Sequence, residues 1–111
     1  MYNYGLIGNC QTSVLVSKMA SLDWWCVPRP DSPPVFGKLL DDEGGHCAVQ
    51  LAGGSHSHQY YHPNTNILVT HLISNDGSEI RITDFCPRFM LQDQVSRPSA
   101  VYRVIEVTRT E

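Results

Sequence analysis

Two adjacent tryptophans, Trp24 and Trp25, stand a few residues ahead of a guanidinium, a carboxylate and a hydroxyl at Arg29, Asp31 and Ser32. Aromatic rings beside an Arg and an Asp can stack on a sugar and hydrogen-bond its hydroxyls, so the loop over 28–34 is a candidate binding subsite. The competing reading is structural. One Trp packs in the core, the other lies against a partner domain, and Arg29 and Asp31 form an ion pair. Large aromatics mostly serve packing, which favours this second reading.

Histidines form the next group, with His56, His58 and His62 close together and His46 beside Cys47. Imidazole and thiolate ligate zinc, but the spacing places no fourth ligand, so neither a metal nor a cofactor is expected. His71, inside an apolar run, reads as a satisfied buried side chain. Asp23 and Asp84 also lie within strand-like runs, where a carboxylate needs hydrogen-bond donors. Both are expected to anchor backbone or Arg groups. Asn64, Thr65 and Asn66 read as a turn that caps its own backbone.

The chain that must position these groups has 111 residues, 41% hydrophobic and 17% charged. That suits one folded domain with a single core. A net charge of -3, with eight scattered basic residues, argues against a nucleic-acid partner. No run approaches the roughly 20 apolar residues of a membrane span, and the opening lacks the pattern of an export signal. A cytoplasmic setting with no membrane partner is the expectation. Cys10, Cys26, Cys47 and Cys86 form no CxxC pair and are expected as free thiols, with two disulfides formally open.

The periodicity is that of strands. Residues 4–8 and 13–17 carry branched and aromatic residues between polar breaks, and a turn over 18–21 leads into the apolar run of 22–28. Ser32, Pro33 and Pro34 precede apolar residues three to four apart, which predicts one short helix over 35–40. Residues 47–51 read as the next strand, and the Gly- and Ser-rich segment 52–58 as a mobile connection. Alternation then marks strands over 67–73 and 79–85, joined by an Asn75-Asp76-Gly77 hairpin turn, with Ile80, Ile82 and Asp84 facing the core. A polar connection over 89–98 leads to a long final strand from Val101. Seven or so short antiparallel strands with one short helix predict an all-β sandwich. The sequence stops in a strand, so the natural polypeptide is expected to continue beyond Glu111, and bare strand edges to favour self-association.

Four ordered motifs carry a family resemblance: YGLIGNCQTSVLVSK, ASLDWWCVPRPDSPPVFGKLLDDEGGH, HPNTNILVTHL and DGSEIRITDFCPR. Together they span nearly the whole chain and resemble the opening of bacterial and archaeal glycoside hydrolase family 15 proteins, the glucoamylase- and trehalase-like enzymes. Ala20 stands where that family usually has a turn glycine, Pro30 where Phe is common and Val69 where Glu is common.

The resemblance implies an amino-terminal supersandwich joined to an (α/α)-barrel that carries two catalytic glutamates and acts on α-glucosides. Inverting hydrolysis needs a carboxylic acid and a carboxylate about 6.5–9.5 Å apart in a sugar-shaped pocket. The eleven acidic residues here fall mainly in turns and on solvent faces. No catalytic residue is assigned and the isolated chain is expected to be inactive. The expected partner is the chain's own carboxy-terminal catalytic domain, with an α-glucoside as a further candidate. The alternative function is an independent carbohydrate-binding module.

Overall fold

A computed structural model of the chain describes residues 4–27, 29, 31–51 and 55–109. They form ten strands and, among the described residues, no helix. The first sheet is β1 (Tyr4–Gly8), β2 (Ser13–Ser17), β3 (Leu22–Cys26) and β4 (Pro34–Phe36), in sequence order. Three further strands, β5 (Ser55–Tyr61), β6 (Leu68–Ser74) and β7 (Glu79–Phe85), join the last, β10 (Tyr102–Arg109), in the order β10-β7-β6-β5. A small hairpin of β8 (Phe89–Leu91) and β9 (Gln94–Ser96) lies between them in sequence. All pairings are antiparallel, as expected for an all-β fold.

The core lies between the sheets. Ile7, Val14, Val16 and Leu22 of the first sheet cluster with Leu68 and Cys86 of the second half. Leu72, Ile80 and Ile82 gather around Ala20. Full burial of a Leu or Ile side chain contributes about 1.5–3 kcal/mol, so these few residues supply much of the drive to close the sandwich. The sheets approach closely at Gly5, where an added Cβ would stand 2.8 Å from Leu68 Cδ2. Polar groups bridge the adjoining edges. Tyr61 Oη accepts from Leu6 N and donates to Leu6 O, both at 2.8 Å, and Gln59 Nε2 donates to Ser17 O at 2.9 Å.

The predicted alternation of β7 is present, with Ile80, Ile82 and Asp84 buried. The Asn75-Asp76-Gly77 hairpin turn is present too. Gly77 has φ +94°, and Asp76 caps the turn by accepting from Ser78 N at 2.9 Å. Asp84 and Asp23 are both anchors, as expected. Asp84 is fully buried and held by Arg103, while Asp23 accepts from Ser21 Oγ and Tyr4 Oη.

Four expectations are corrected. The helix over 35–40 does not form. Phe36 is drawn into the sheet beside Trp25, their ring centroids 6.0 Å apart, and the chain then turns tightly from Gly37, whose N–H reaches Gly44 O at 2.9 Å. Leu39 and Leu40 remain exposed, and a helix this short gains too little without a buried apolar stripe. The strand over 47–51 reduces to one bridge between Cys47 and Leu22. Residues 55–58 are not a loose connection but the first half of β5, paired residue by residue with β6; residues 52–54 lie outside the described residues. Lastly, the connection over 89–98 contains the β8–β9 hairpin.

Candidate functional site

Antiparallel pairing brings the ends of several motifs to one rim of the sandwich. Gly8 pairs with Ser13 and Val14 with Trp25, so the β1–β2 turn and the β3–β4 loop share an end. In the second sheet Tyr61 pairs with Leu68 and Leu68 with Asp84, which brings the β5–β6 turn beside the segment after β7. A cleft of about 450 Å³ joins the β1–β2 turn to these two segments, lined by Asn9, Cys10, Asn66, Ile67, Cys86 and Arg88 among others.

Asn9 organises this rim. It is buried, its Oδ1 accepts from Gln11 N and Thr12 N at 3.0 Å each, and its Nδ2 donates to Pro87 O and Pro98 O at 2.8 Å each. One amide thus caps its own turn and ties it to two segments nearly eighty and ninety residues away. Sequence reasoning passed over Asn9, although an Asn next to a turn glycine is a known capping signal. Its long-range carbonyl partners carry no sequence mark.

The two tryptophans part company. Trp25 faces inward, packs against the Ile7–Leu22 cluster and donates from Nε1 to Thr12 Oγ1 at 2.7 Å, which ties β3 to the β1–β2 turn. Trp24 pairs with Leu15, which in turn pairs with Leu6, so these three lie across the outer face of the first sheet. Arg29, Asp31 and Ser32 do come together. Arg29 Nε lies 3.2 Å from Asp31 Oδ1, Arg29 N donates to Ser32 Oγ at 3.1 Å and Ser32 N to Arg29 O at 3.0 Å. The Arg29 and Asp31 side chains are 73% and 71% exposed. Pro28 and Pro30 lie outside the described residues.

The histidines disperse. His56 and His58 are on β5, His62 opens the β5–β6 turn and His46 precedes the Cys47 bridge. His71 is a satisfied, half-buried side chain, with Nε2 3.0 Å from Tyr60 Oη and Nδ1 3.6 Å from Glu79. The turn over 62–67 caps itself as expected, since Thr65 Oγ1 donates to His62 O and accepts from Ile67 N. All four cysteines are free, Cys10 exposed and Cys26 and Cys86 buried. Burial, with Asp84 nearby, pushes the Cys86 thiol up to about 11.

The family described as "Trehalase-like, N-terminal" matches residues 2–109. The chain belongs to the trehalase-like N-terminal family. Among similar proteins, a trehalase of Thermoplasma volcanium is 38% identical over 87 residues, covering 76% of this chain and 14% of that protein. A trehalase of Mycolicibacterium smegmatis is 44% identical over 69 residues, covering 61% of this chain and 10% of the relative. Trehalase 1 of Sulfolobus acidocaldarius is 39% identical over 83 residues, covering 75% and 14%. The matched part spans about a tenth to a seventh of these curated relatives. No solved structure matches the chain significantly.

Ala20 now has a physical account. This trehalase-like domain holds it fully buried at φ +65°, the left-handed conformation that glycine adopts at least cost. The turn geometry is kept despite the side chain. The methyl joins the Leu72–Ile82 cluster, which offsets part of the backbone strain.

Proposed function

We propose that this trehalase-like N-terminal domain is a non-catalytic, cytoplasmic part of a glycoside hydrolase family 15 enzyme that acts on α-glucosides. In this reading it packs on its own catalytic barrel and lends a loop to the substrate site. The observation that carries the proposal is the convergence of its motifs on one rim, ordered by Asn9.

The chemistry agrees with a positioning role. Asp23 and Asp84, the carboxylates inside the fold, are committed to Ser21, Tyr4 and Arg103. Neither is free to protonate a leaving group or activate water. The loop groups Arg29, Asp31 and Ser32 are exposed or half-buried and pre-oriented by their mutual contacts. Trp25 fixes the strand that delivers them, and Trp24 offers an outward ring to the partner domain. The edge strand β10 leaves open backbone through which copies of the chain would associate.

The test joins this domain to its catalytic domain and measures trehalose and maltose hydrolysis with Arg29→Ala. A rise in KM or a fall in kcat of about tenfold is expected, the effect of losing one charged contact to a ligand. Unchanged kinetics would remove Arg29 from the substrate site. The 111-residue chain alone should give no turnover, and measurable hydrolysis by it would overturn the non-catalytic assignment.

A further inference from the structure

The outer face of the second sheet carries a polar ladder that neither the core nor the rim uses. His58 pairs with His71, His71 with Arg81, and Arg81 with Glu106, so one side chain from each of β5, β6, β7 and β10 stands in a single row. Four strands at the usual spacing make this row about 14 Å long. Beside it on the same face stand Tyr60, two register positions away, and Glu79 on the other flank.

The rings form a contiguous group. Tyr60 and His71 are stacked at 5.6 Å, His58 lies 5.4 Å from Tyr60 and 6.2 Å from His71. They are also held in place. Tyr60 Oη meets His71 Nε2 at 3.0 Å, His71 Nδ1 faces Glu79, and Arg81 Nη2 donates to Glu106 Oε2 at 2.8 Å. Tyr60 is 41% exposed, and the Arg81 and Glu106 side chains are about as open.

We propose that this outer face, led by His58, Tyr60, His71 and Arg81, is a saccharide-binding surface for a neutral pyranoside chain, separate from the rim. Ring faces accept the C–H face of a pyranose, while fixed donors and acceptors of both signs suit hydroxyl groups, which donate and accept. The charge balance selects this occupant. Arg81 and Arg109 are balanced by Glu106 and Glu79, which leaves no net positive surface for a phosphate. Charged side chains at the centre of the patch also set it apart from protein interfaces, whose centres are depleted of them. Groups already locked in position lose little freedom on binding.

The experiment titrates the 111-residue chain with maltoheptaose, cellohexaose and dextran oligosaccharides, followed by NMR of backbone amides and imidazole protons. Saturable shifts centred on His58, Tyr60 and His71 are expected with at least one of these glucans. Affinity should fall tenfold or more in Tyr60→Ala and in His58→Ala and less in Tyr60→Phe, which keeps the ring. The same spectra report that each variant is folded. No saturable shift with any glucan would overturn the proposal, as would binding that survives both alanine variants or that is lost only with Arg29→Ala. The rim assignment stands or falls on hydrolysis kinetics of the joined polypeptide, so failure of one is distinguishable from failure of the other.

Discussion

Two arginine–aspartate pairs in this domain use the same groups in opposite surroundings. At the rim, Arg29 and Asp31 meet two residues apart in sequence, both largely in water. Between the sheets, Arg103 reaches across from β10 to Asp84, 2.7 and 3.1 Å from its two oxygens, with side chains 10% and 0% exposed. Arg103 also donates to Ala20 O at 2.6 Å and Cys47 O at 3.3 Å, so it joins both sheets and the residual bridge at Leu22. An exposed pair contributes at most about 1 kcal/mol, whereas breaking a buried one strands a charge away from water. The inner pair therefore cannot lose one partner without a large cost, and the outer pair is free to serve a ligand or a partner.

Removing the inner cation should have the largest effect. Arg103→Leu is expected to destabilise the domain by about 3–5 kcal/mol in urea unfolding, with the Asp84→Leu double variant recovering much of that loss. Recovery would show that the stranded charge, not the missing contact, causes the damage. The same pair predicts a pH signature. Burial raises the Asp84 carboxyl more than Arg103 lowers it, so the folded state holds this proton more tightly than the unfolded chain. Its stabilisation is complete below the ordinary carboxylate value of about 3.9 and is lost as pH rises through the raised folded value. Without Arg103 that loss should deepen, as unfolding measured across pH would reveal.

Cys86, beside the same buried carboxylate, extends the contrast to reactivity. Its upward displacement to about 11 leaves on the order of a hundredfold less thiolate than an ordinary thiol near neutral pH. Iodoacetamide labelling of the native chain should modify Cys10 first and Cys86 only on unfolding. Labelling of Cys86 at the Cys10 rate would refute the burial of this end.

Asn9 is next in size. Asn9→Ala leaves the carbonyls of Pro87 and Pro98 without their donor, at an expected cost of about 2–3 kcal/mol and with increased exchange of the amides over 9–12. The smallest effect belongs to the outer pair, where Arg29→Ala should change stability by less than about 1 kcal/mol. A larger change would mean that the rim loop belongs to the structural frame.

Strand alternation made much of this legible in advance. Ile80, Ile82 and Asp84 announced an inner face, Asn75-Asp76-Gly77 announced its turn, and a carboxylate inside an apolar run announced an anchor, though not which arginine it holds. The short helix failed because three to four residue spacing over so short a run cannot distinguish a helix from a strand and a tight turn that share a proline start. Polar β5 was invisible for a related reason. Gln59 and Tyr61 reach the other sheet through hydrogen bonds, and a strand held by its ladder and such bonds shows no apolar period.

By itself the sequence determined the strand-rich class, the principal turns and the motifs that place the chain among trehalase-like N-terminal domains, because these depend on neighbours near in the chain. Only the tertiary structure decided which arginine is buried, which tryptophan faces in, that Asn9 ties three segments into a rim and that four side chains align across the outer sheet. Those outcomes rest on strand register and on contacts between residues many positions apart, and the free energy of burial is settled only when both sheets have met.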